Sequence, residues 1–595
     1  MVKKCAGVPL AIKTISSLLY TKKKKEWLNF KGCELSNIDD SDEGIMKVLK
    51  LSYVHLPSHL KHCFAYCALF PKDYVFDKQT IIQLWMAQGF IKASEGSDDL
   101  EETGNSYVSN MLCRSFIEVE EIDDDTGEVN TFKMHDLMHD LALKVAGDEC
   151  KMIDLNEGGI IRGIRHASFA SQLPSLQKVT SLLEATNLRT FLSLKERHIA
   201  EPNYFSNEYH EIISKFRHCR ALRLCYEDFG IPPSLGSQLK HLRFLDISRN
   251  PSIQNLPDSI TDLVNLQTLN LSDCYHLTTL PRDMKKLVNL RHLLIGGCYS
   301  LSHMPCGLSH LSKLQTLQLF IIQKMDHKVP GGGVGSLDEL GGLNRLAGSI
   351  ALENLQFLQP VLNEGHLREK QHLRCLELSW SMEQHDGKSD SDELVLWEYL
   401  RPHPNLTRLR IDSCMNRSPP SWLSSIMNLI ELTLDSCREW KYLPSLELRH
   451  LRFINLPKLV VLPEGIQHIT TLESLDVTWC KNLTSLPEWI GNFSSLQNLD
   501  IAGCSRLMCL PNGISRLTSL KTLRFIECPV LQERGIPIKE NKKCIFVIDL
   551  YFCIILNVKS FDIAGERASE TFSLSYKAIN ISNSHDGISK YVKHK

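Results

Sequence analysis

Leu242-x-x-Leu245-x-Ile247 returns as Leu266-x-x-Leu269-x-Leu271, Leu290-x-x-Leu293-x-Ile295 and Leu314-x-x-Leu317-x-Leu319, each step 24 residues long. A second phased group runs Leu448, Leu472, Leu496 and Leu520 at the same step. Leu-Pro pairs keep the beat at Leu256-Pro257, Leu280-Pro281, Leu462-Pro463, Leu486-Pro487 and Leu510-Pro511. Chance does not hold phase over so many turns. In x-x-Leu-x-Leu the leucines alternate along a short strand and point inward, while the rest of the unit returns the chain. One unit cannot bury its own leucines, so units must stack.

The period falls in the window of about 20–29 residues that marks leucine-rich repeats. It predicts an α/β leucine-rich-repeat solenoid, a horseshoe with a parallel sheet on its inner face, over residues 216–530. Asn250, Cys274 and Cys298 share one phase, as do Cys480, Cys504 and Cys528, and Cys414 and Cys437 fill the same slot. A metal or redox ladder is one reading of these thiols. The better one is the Asn/Cys position of the motif, where a small polar group bonds the turning backbone. The phase breaks at 325–372, read as an insertion around Pro330-Gly331-Gly332-Gly333-Val334-Gly335. No Lys-Ser follows it, and Gly387-Lys388-Ser389 has Met382 where the first glycine belongs, so neither is a phosphate-cradling loop. Residues 151–215 read as a linker and 531–595 as an atypical tail, apolar from Ile545 to Val558 and polar beyond.

Composition sets the compartment and excludes several classes. With 43% hydrophobic and 23% charged residues, the 595-residue chain is an ordinary soluble globular protein. Lys+Arg 67 against Asp+Glu 69 leaves no basic field for nucleic acid. Twenty cysteines are too few for a disulfide scaffold. No export signal opens the sequence, and no apolar run reaches the ~20 residues of a membrane span. The expected compartment is the reducing cytoplasm.

The first 150 residues read as helical: Ile12 to Leu19, ended by the cationic run Lys22 to Lys25; Gly44 to Tyr53; a helix N-capped by Ser58; one capped by Asp77; and Glu101 to Cys113. Phe116 to Val119 and Val129 to Lys133 then alternate as a hairpin around Asp125-Thr126-Gly127. Helices followed by a hairpin make a winged-helix pattern. Its wing carries Glu118, Glu120, Glu121, Asp123, Asp124, Asp125 and Glu128 with no Lys or Arg between them, which argues against DNA as its partner. In Met134-His135-Asp136-Leu137-Met138-His139, His135 and His139 stand at i and i+4 and are expected on one face of a helix. His-Asp-x-x-His differs by one residue type from the zinc-protease motif, but it lacks the glutamate base and a third ligand. Helix capping and core packing are the plainer roles for these residues.

Gly7-Val8-Pro9-Leu10-Ala11, Cys63-Phe64-Ala65-Tyr66-Cys67-Ala68-Leu69-Phe70-Pro71 and Met134-His135-Asp136, in that order before the repeats, resemble a plant intracellular immune receptor of the nucleotide-binding, leucine-rich-repeat family, coiled-coil subclass. The resemblance implies that residues 1–30 end the helical subdomain of an NB-ARC ATPase module and that 31–150 are its winged-helix domain. It also implies a switch between ADP and ATP. Pro9 would line the adenine pocket, His135 would reach the ADP phosphates, and Asp136 would fix that geometry. A histidine donor near a phosphate ties nucleotide to domain position. The Walker A loop and Mg²⁺-binding strand of such a module are not found in this sequence, so the chain is expected to be N-terminally truncated and not an enzyme.

Function is then expected in recognition. Arg408, Arg410 and Asp412, then Glu431, Thr433 and Asp435, are the outward strand positions expected to read a protein partner, a pathogen effector or a guarded host protein, with Trp380 and Trp479 as anchors. The alternative is an adaptor or decoy that docks on complete receptors, or the product of a broken gene. A transcriptional regulator would need a basic wing, and an extracellular receptor an export signal. Isothermal titration of the chain with ADP is expected to show binding weaker than micromolar; micromolar affinity would contradict the loss of the phosphate-holding half.

Overall fold

The inward leucines of the repeat are among the best-buried side chains of the protein: Leu245, Leu269, Leu293 and Leu317, one per coil, are fully inaccessible. Each such burial is worth about 1.5–3 kcal/mol. The computed structural model describes residues 5, 7–20, 42–92, 99–123, 126–153, 163–170, 187–194, 213–226, 230–323, 334–358, 365–381, 390–414, 419–437, 440, 442–533 and 545–548. The chain divides into two units, residues 1–357 and 358–595.

The first unit opens with helices α1 (Pro9–Tyr20), α2 (Asp42–Val54), α3 (Ser58–Tyr66), α4 (Lys78–Gln88) and α5 (Leu100–Cys113), and α6 (Asp136–Ala146) follows a small sheet. That sheet holds β1 (Phe76–Asp77), β2 (Glu118–Ile122) and β3 (Val129–Lys133) in the order β1-β3-β2, antiparallel. Asp77 caps α4 by accepting from Thr80 N at 2.7 Å. Ser58 does not cap α3; Pro57 holds that position, its fixed φ of −52° already suited to a helix start. Phe64, Trp85, Phe116 and Phe132 fill the core.

A ladder of eight parallel strands follows: β4 (Cys150–Met152), β5 (His166–Phe169), β6 (Thr190–Ser193), β7 (Ala221–Arg223), β8 (Phe244–Asp246), β9 (Thr268–Asn270), β10 (His292–Leu294) and β11 (Thr316–Leu317). The expected linker at 151–215 therefore supplies strands. β5 and β6 are buried throughout and pair in register. A parallel pair, β12 (Leu319–Ile321) and β13 (Ala347–Glu353), ends the unit. β13 lies inside the expected insertion at 325–372, which therefore supplies a strand to the ladder. Residues 324–333, with most of the glycine run, lie outside the described residues, as do Gly387 to Ser389 and the Lys22 to Lys25 run.

In the second unit β14 (His372–Ser379), β15 (Arg408–Asp412), β16 (Glu431–Asp435), β17 (His450–Ile454), β18 (Ser474–Thr478), β19 (Asn498–Ala502), β20 (Thr522–Ile526) and β21 (Ile545–Ile548) pair in sequence order, all parallel. β21 carries the ladder into the expected tail, whose residues from 549 onward lie outside the described part. Pro257, Pro463, Pro487 and Pro511 each begin the short 3-10 turn that returns the chain. This is the structural use of the Leu-Pro beat.

The cysteine column does what a motif position should. Cys274, Cys298, Cys480, Cys504 and Cys528 each donate from Sγ to a carbonyl 27 residues earlier, at 3.2–3.9 Å. In the same slot, Asn250 Oδ1 accepts from Ser252 N at 2.9 Å. Burial pushes Cys274 up to about 11 and Cys298 and Cys504 up to about 12, so these thiols stay protonated below that range. With Ellman's reagent at pH 8, Cys113 and Cys509, the exposed ones among the described cysteines, should react rapidly and the column only on unfolding. Fast labelling of Cys298 or Cys504 in the native chain would contradict this.

Candidate functional site

One residue stands immediately before each of β7 to β11: Arg220, Arg243, Gln267, Arg291 and Gln315. Arg220, Arg291 and Gln315 of this column bond the helical part to the repeats. Arg220 Nη1 donates at 2.8 Å to the carbonyl of Gln88, the last residue of α4, where unsatisfied helix carbonyls favour a cation. Arg243 lies beside the next residue, Gly89, whose φ of +77° closes the helix; a Cβ there would come within 3.6 Å of Arg243 Nη1.

Further along the column, Glu101 in the first turn of α5 enters the repeats. Its carboxylate accepts from Arg291 Nε and Nη2, both at 2.6 Å, and from Gln315 Nε2 at 2.9 Å, and it lies 3.1 Å from His292 Nε2. His292 Nδ1 continues to Thr316 Oγ1 at 3.1 Å. Glu101, Arg291 and His292 are all buried. Burial alone would raise the Glu101 pKa. The hydrogen bonds and charges of Arg291 and His292 overcome it and hold the group well below the usual carboxylate range.

The other end of the contact is mostly apolar. Cys150, Leu192, Leu194, Ala221 and Phe244 share one core cluster with Phe64, Trp85 and Phe132. Inside it Thr190 Oγ1 bonds both Tyr66 Oη (3.1 Å) and His166 Nδ1 (2.9 Å), and Ser168 Oγ donates to Leu69 O. Burial, reinforced by Arg189, Arg165 and Arg220, pushes His166 down to about 3, so its ring is neutral.

The Met134-His135-Asp136 motif sits where strand passes into helix. His135 is the N-cap of α6, with φ −63° and ψ 144°, and its Nδ1 accepts from Leu137 N at 3.2 Å. The hydrogen of the neutral ring is therefore on Nε2, and the side chain is exposed. His139 is buried and bonds Phe70 O through Nε2 at 2.7 Å. The expectation that both histidines face one side of a helix is thus corrected: His135 precedes the helix and does not follow its periodicity. Among the described residues no group of His, Cys, Asp and Glu could hold a metal ion. Asp136 opens α6 and is exposed, as is Pro9 at the start of α1. Among the described residues no hydrogen bond or ion pair ties Pro9, His135 and Asp136 together. α6 packs on α2 and α3, and α1 on α2.

In the second unit the outward strand residues pair across the ladder. Arg410 bridges Glu377 (3.2 Å) and Asp435 (2.7 Å), Arg408 meets Glu431 (3.6 Å), and Arg452 bridges Glu431 (2.8 Å) and Asp476 (2.9 Å). Asp412 accepts from Ser413 Oγ at 2.8 Å, and Thr433 is buried. Arg410 and Asp435 thus share one chain of ion pairs and Arg408 and Glu431 another, with Asp412 alongside on β15. Trp479 is exposed. Trp380 is not an anchor: it is buried edge-on against Trp397, 5.5 Å between ring centres. Sequence reasoning missed Glu101 and its partners. The signal was present as the period-24 column Gln267, Arg291, Gln315, but nothing local names an acid 190 residues earlier.

Residues 69–142 match the family described as Disease resistance protein Winged helix domain, residues 337–459 match R13L1/DRL21 LRRs, and residues 265–287 match Leucine Rich Repeat. The RPP13-like protein 1 of Arabidopsis thaliana, a disease resistance relative, is 36% identical over 485 residues, 79% of this chain and 44% of that protein. Disease resistance protein RGA2 of Solanum bulbocastanum is 34% identical over 452 residues, 75% of this chain and 42% of that protein. A solved LRR protein of Leptospira interrogans, 19% identical, covers 65% of this chain and 90% of its own with a TM-score of 0.35. Fold and site together define a winged helix joined to leucine-rich repeats. The chain belongs to the plant disease resistance proteins of that build, and spans less than half the length of these curated relatives. No helix of the described residues is long and apolar enough to cross a membrane.

Breaking a buried pair costs about 3–5 kcal/mol, so Glu101→Gln should lower the unfolding free energy by about 3 kcal/mol at pH 7. A depressed folded-state pKa stabilises above the unfolded carboxylate value of about 4.3. The difference between wild type and variant should therefore shrink as pH falls below about 4. Denaturant melts across that range check it; a pH-independent gap would contradict the ionised state of Glu101.

Proposed function

We propose that this chain is the segment of a plant immune receptor in which a nucleotide-sensing winged helix is coupled to repeats that read a protein ligand, a pathogen effector or a guarded host protein. Its role is recognition and signalling without catalysis, in the cytoplasm. The observation that carries the reading is the Glu101 knot: a buried carboxylate of the winged-helix region is held by donors on successive coils, so moving one part displaces the other. Disease resistance, for which these relatives are named, supports the same reading.

The nucleotide side rests on this chain's own groups. Pro9 would offer an apolar contact to a base. His135, its Nδ1 occupied by Leu137 N, would donate Nε2–H to a phosphate oxygen. Asp136 favours the start of α6 through the helix dipole and so keeps His135 at the cap. Bound ADP would supply the negative phosphates that such a donor answers. Near the motif Lys72 is already paired with Asp140 and Lys133 with Glu120, each at 2.7 Å. That accords with weak binding by the chain alone.

The coupling has a direct test. Placed in the corresponding segment of a complete resistance protein and expressed in leaf tissue, Glu101→Lys should trigger defence cell death without a pathogen. The exchanged pair Glu101→Arg with Arg291→Glu should stay quieter than Glu101→Lys. A Glu101→Lys protein present at wild-type abundance and no more active than wild type would overturn the coupling.

A further inference from the structure

The column that stands one residue before each strand begins well ahead of the joint with α5. Glu149, Arg165, Arg189, Arg220 and Arg243 precede β4 to β8. Their main chains are bonded in sequence: Arg165 N donates to Glu149 O at 3.1 Å, Arg189 N to Arg165 O at 2.7 Å, Arg220 N to Arg189 O at 2.7 Å and Arg243 N to Arg220 O at 2.8 Å. Four arginines therefore occupy successive coils, at a step of about 4.8 Å. Glu149 closes the row at one end and the neutral Gln267, bonded to Arg243 O, at the other.

Three neighbouring arginines show the usual arrangement. Arg223 has Asp246 at 3.4 Å, Arg249 has Asp273 at 3.1 Å, and Arg291 has Glu101 at 2.6 Å. In the row, Arg165 meets Glu149 at 3.3 Å in a pair open to solvent, and Arg220 gives Nη1 to a neutral carbonyl, that of Gln88. Among the described residues Arg189 and Arg243 make no side-chain hydrogen bond or ion pair. Arg189, Arg220 and Arg243 are nonetheless half-buried. Burial, and then the charges of Arg189 and Arg243, push Arg220 below the usual arginine range. Residues 213–226 and 230–245 contain no Asp or Glu, and they add Lys215, Arg217 and Lys240 to the same coils. Gln88 is 4% exposed, and its Oε1 and Nε2 have no hydrogen-bond partner among the described residues. Like charges taken partly out of water in a row are costly unless a counter-charge joins them.

We infer that Arg165, Arg189, Arg220 and Arg243 bind a compact polyphosphate, a small molecule carrying several phosphate groups, across four coils at the end of α4. Each guanidinium offers a planar fork that matches phosphate oxygens, and each phosphate monoester brings about −1.5 to −2 charges at pH 7. Spacing selects this occupant over an acidic protein segment. Side chains on one face of an extended chain stand about 6.6 Å apart, out of step with arginines on adjacent coils. A nucleic-acid backbone, being longer than the row, runs on to Glu149 on one side and toward Glu101, held at Arg291 two coils beyond Arg243, on the other. Arg220 bonds the last carbonyl of α4 and Arg243 lies beside Gly89, so the ligand sits where the helical part meets the coils. The site goes beyond the function proposed above and shares no residue with Pro9, His135 and Asp136.

The test is isothermal titration of the chain at physiological salt with inositol hexakisphosphate and with inorganic tripolyphosphate. The double variant Arg189→Gln with Arg243→Gln is compared with wild type and with Arg506→Gln, whose arginine bonds Asn482 in the second unit. At least one polyphosphate should bind wild type and Arg506→Gln alike, and the double variant at least about tenfold more weakly, the loss of charge-assisted hydrogen bonds. Which of the two binds tighter identifies the scaffold, a ring or a linear chain. The free double variant should melt no lower than wild type, because it sheds two repelling charges; a purely structural role for these arginines would lower melting instead. Affinity unchanged in the double variant, or no binding of either compound at millimolar concentration, would overturn the site. A polyglutamate peptide that binds as tightly through the same arginines would overturn the choice of a polyphosphate.

Discussion

A carboxylate removed from water must be answered in full by its surroundings, since an ion left partly solvated inside a protein costs several kcal/mol. Glu101 meets that condition with donors from two adjacent coils: Arg291 and His292 at β10, and Gln315 just before β11. Such a knot is directional in a way the apolar part of the contact is not. The cluster that joins Phe64 and Trp85 to Leu192, Ala221 and Phe244 supplies adhesion, but hydrophobic burial tolerates sliding. A bidentate guanidinium does not. The register of α5 on the ladder, and through the shared core the position of α6 with its His135 cap, follows from where that one carboxylate is held.

Legibility of the sequence tracks the range of the forces involved. Coils of constant length repeat their leucines at constant spacing, and that part of the ladder could be read directly. The strands β4, β5 and β6 begin at Cys150, His166 and Thr190, at steps of 16 and 24 residues, and carry Lys151, Ala167 and Phe191 in the register position that Leu222 and Leu245 hold in β7 and β8. Their pairing is intact while their signature is gone. Other misses have the same origin. Helical periodicity was extended one residue too far to His135, whose ψ of 144° places it outside the helix. Trp380 follows its strand as Trp479 does, yet Trp397 covers it, and no local pattern distinguishes the two.

The candidate site divides along the same line. Arg408, Arg410, Glu431 and Asp435 could be found from strand alternation alone, because alternation decides which residues face outward. That they satisfy one another is a property of the ladder: registers Arg408↔Glu431 and Arg410↔Thr433 set guanidiniums within reach of acids on the next strand. Half-exposed pairs of this kind contribute little to stability, about 0.2–1 kcal/mol each. Their consequence is selectivity: a partner must replace a satisfied ion pair with one at least as good, which penalises most surfaces.

This separates two regions of one face. On β15 and β16 the charges are mutually answered, so the surface rejects more than it attracts. On β18 and β19 the neighbouring acids Asp476 and Asp500 are each met from the outer side by one arginine, Arg452 and Arg524, and Trp479 remains exposed. A stacked array is the architecture that can sustain such a contrast, because each coil is held by its neighbours and a local defect does not spread through a single shared core. The side chains beneath, Leu475, Val477, Leu499 and Ile501, are fully buried, a burial that the outward residues do not share. Stability is concentrated on one side of each strand and recognition on the other, and alternation allows the second to vary without disturbing the first.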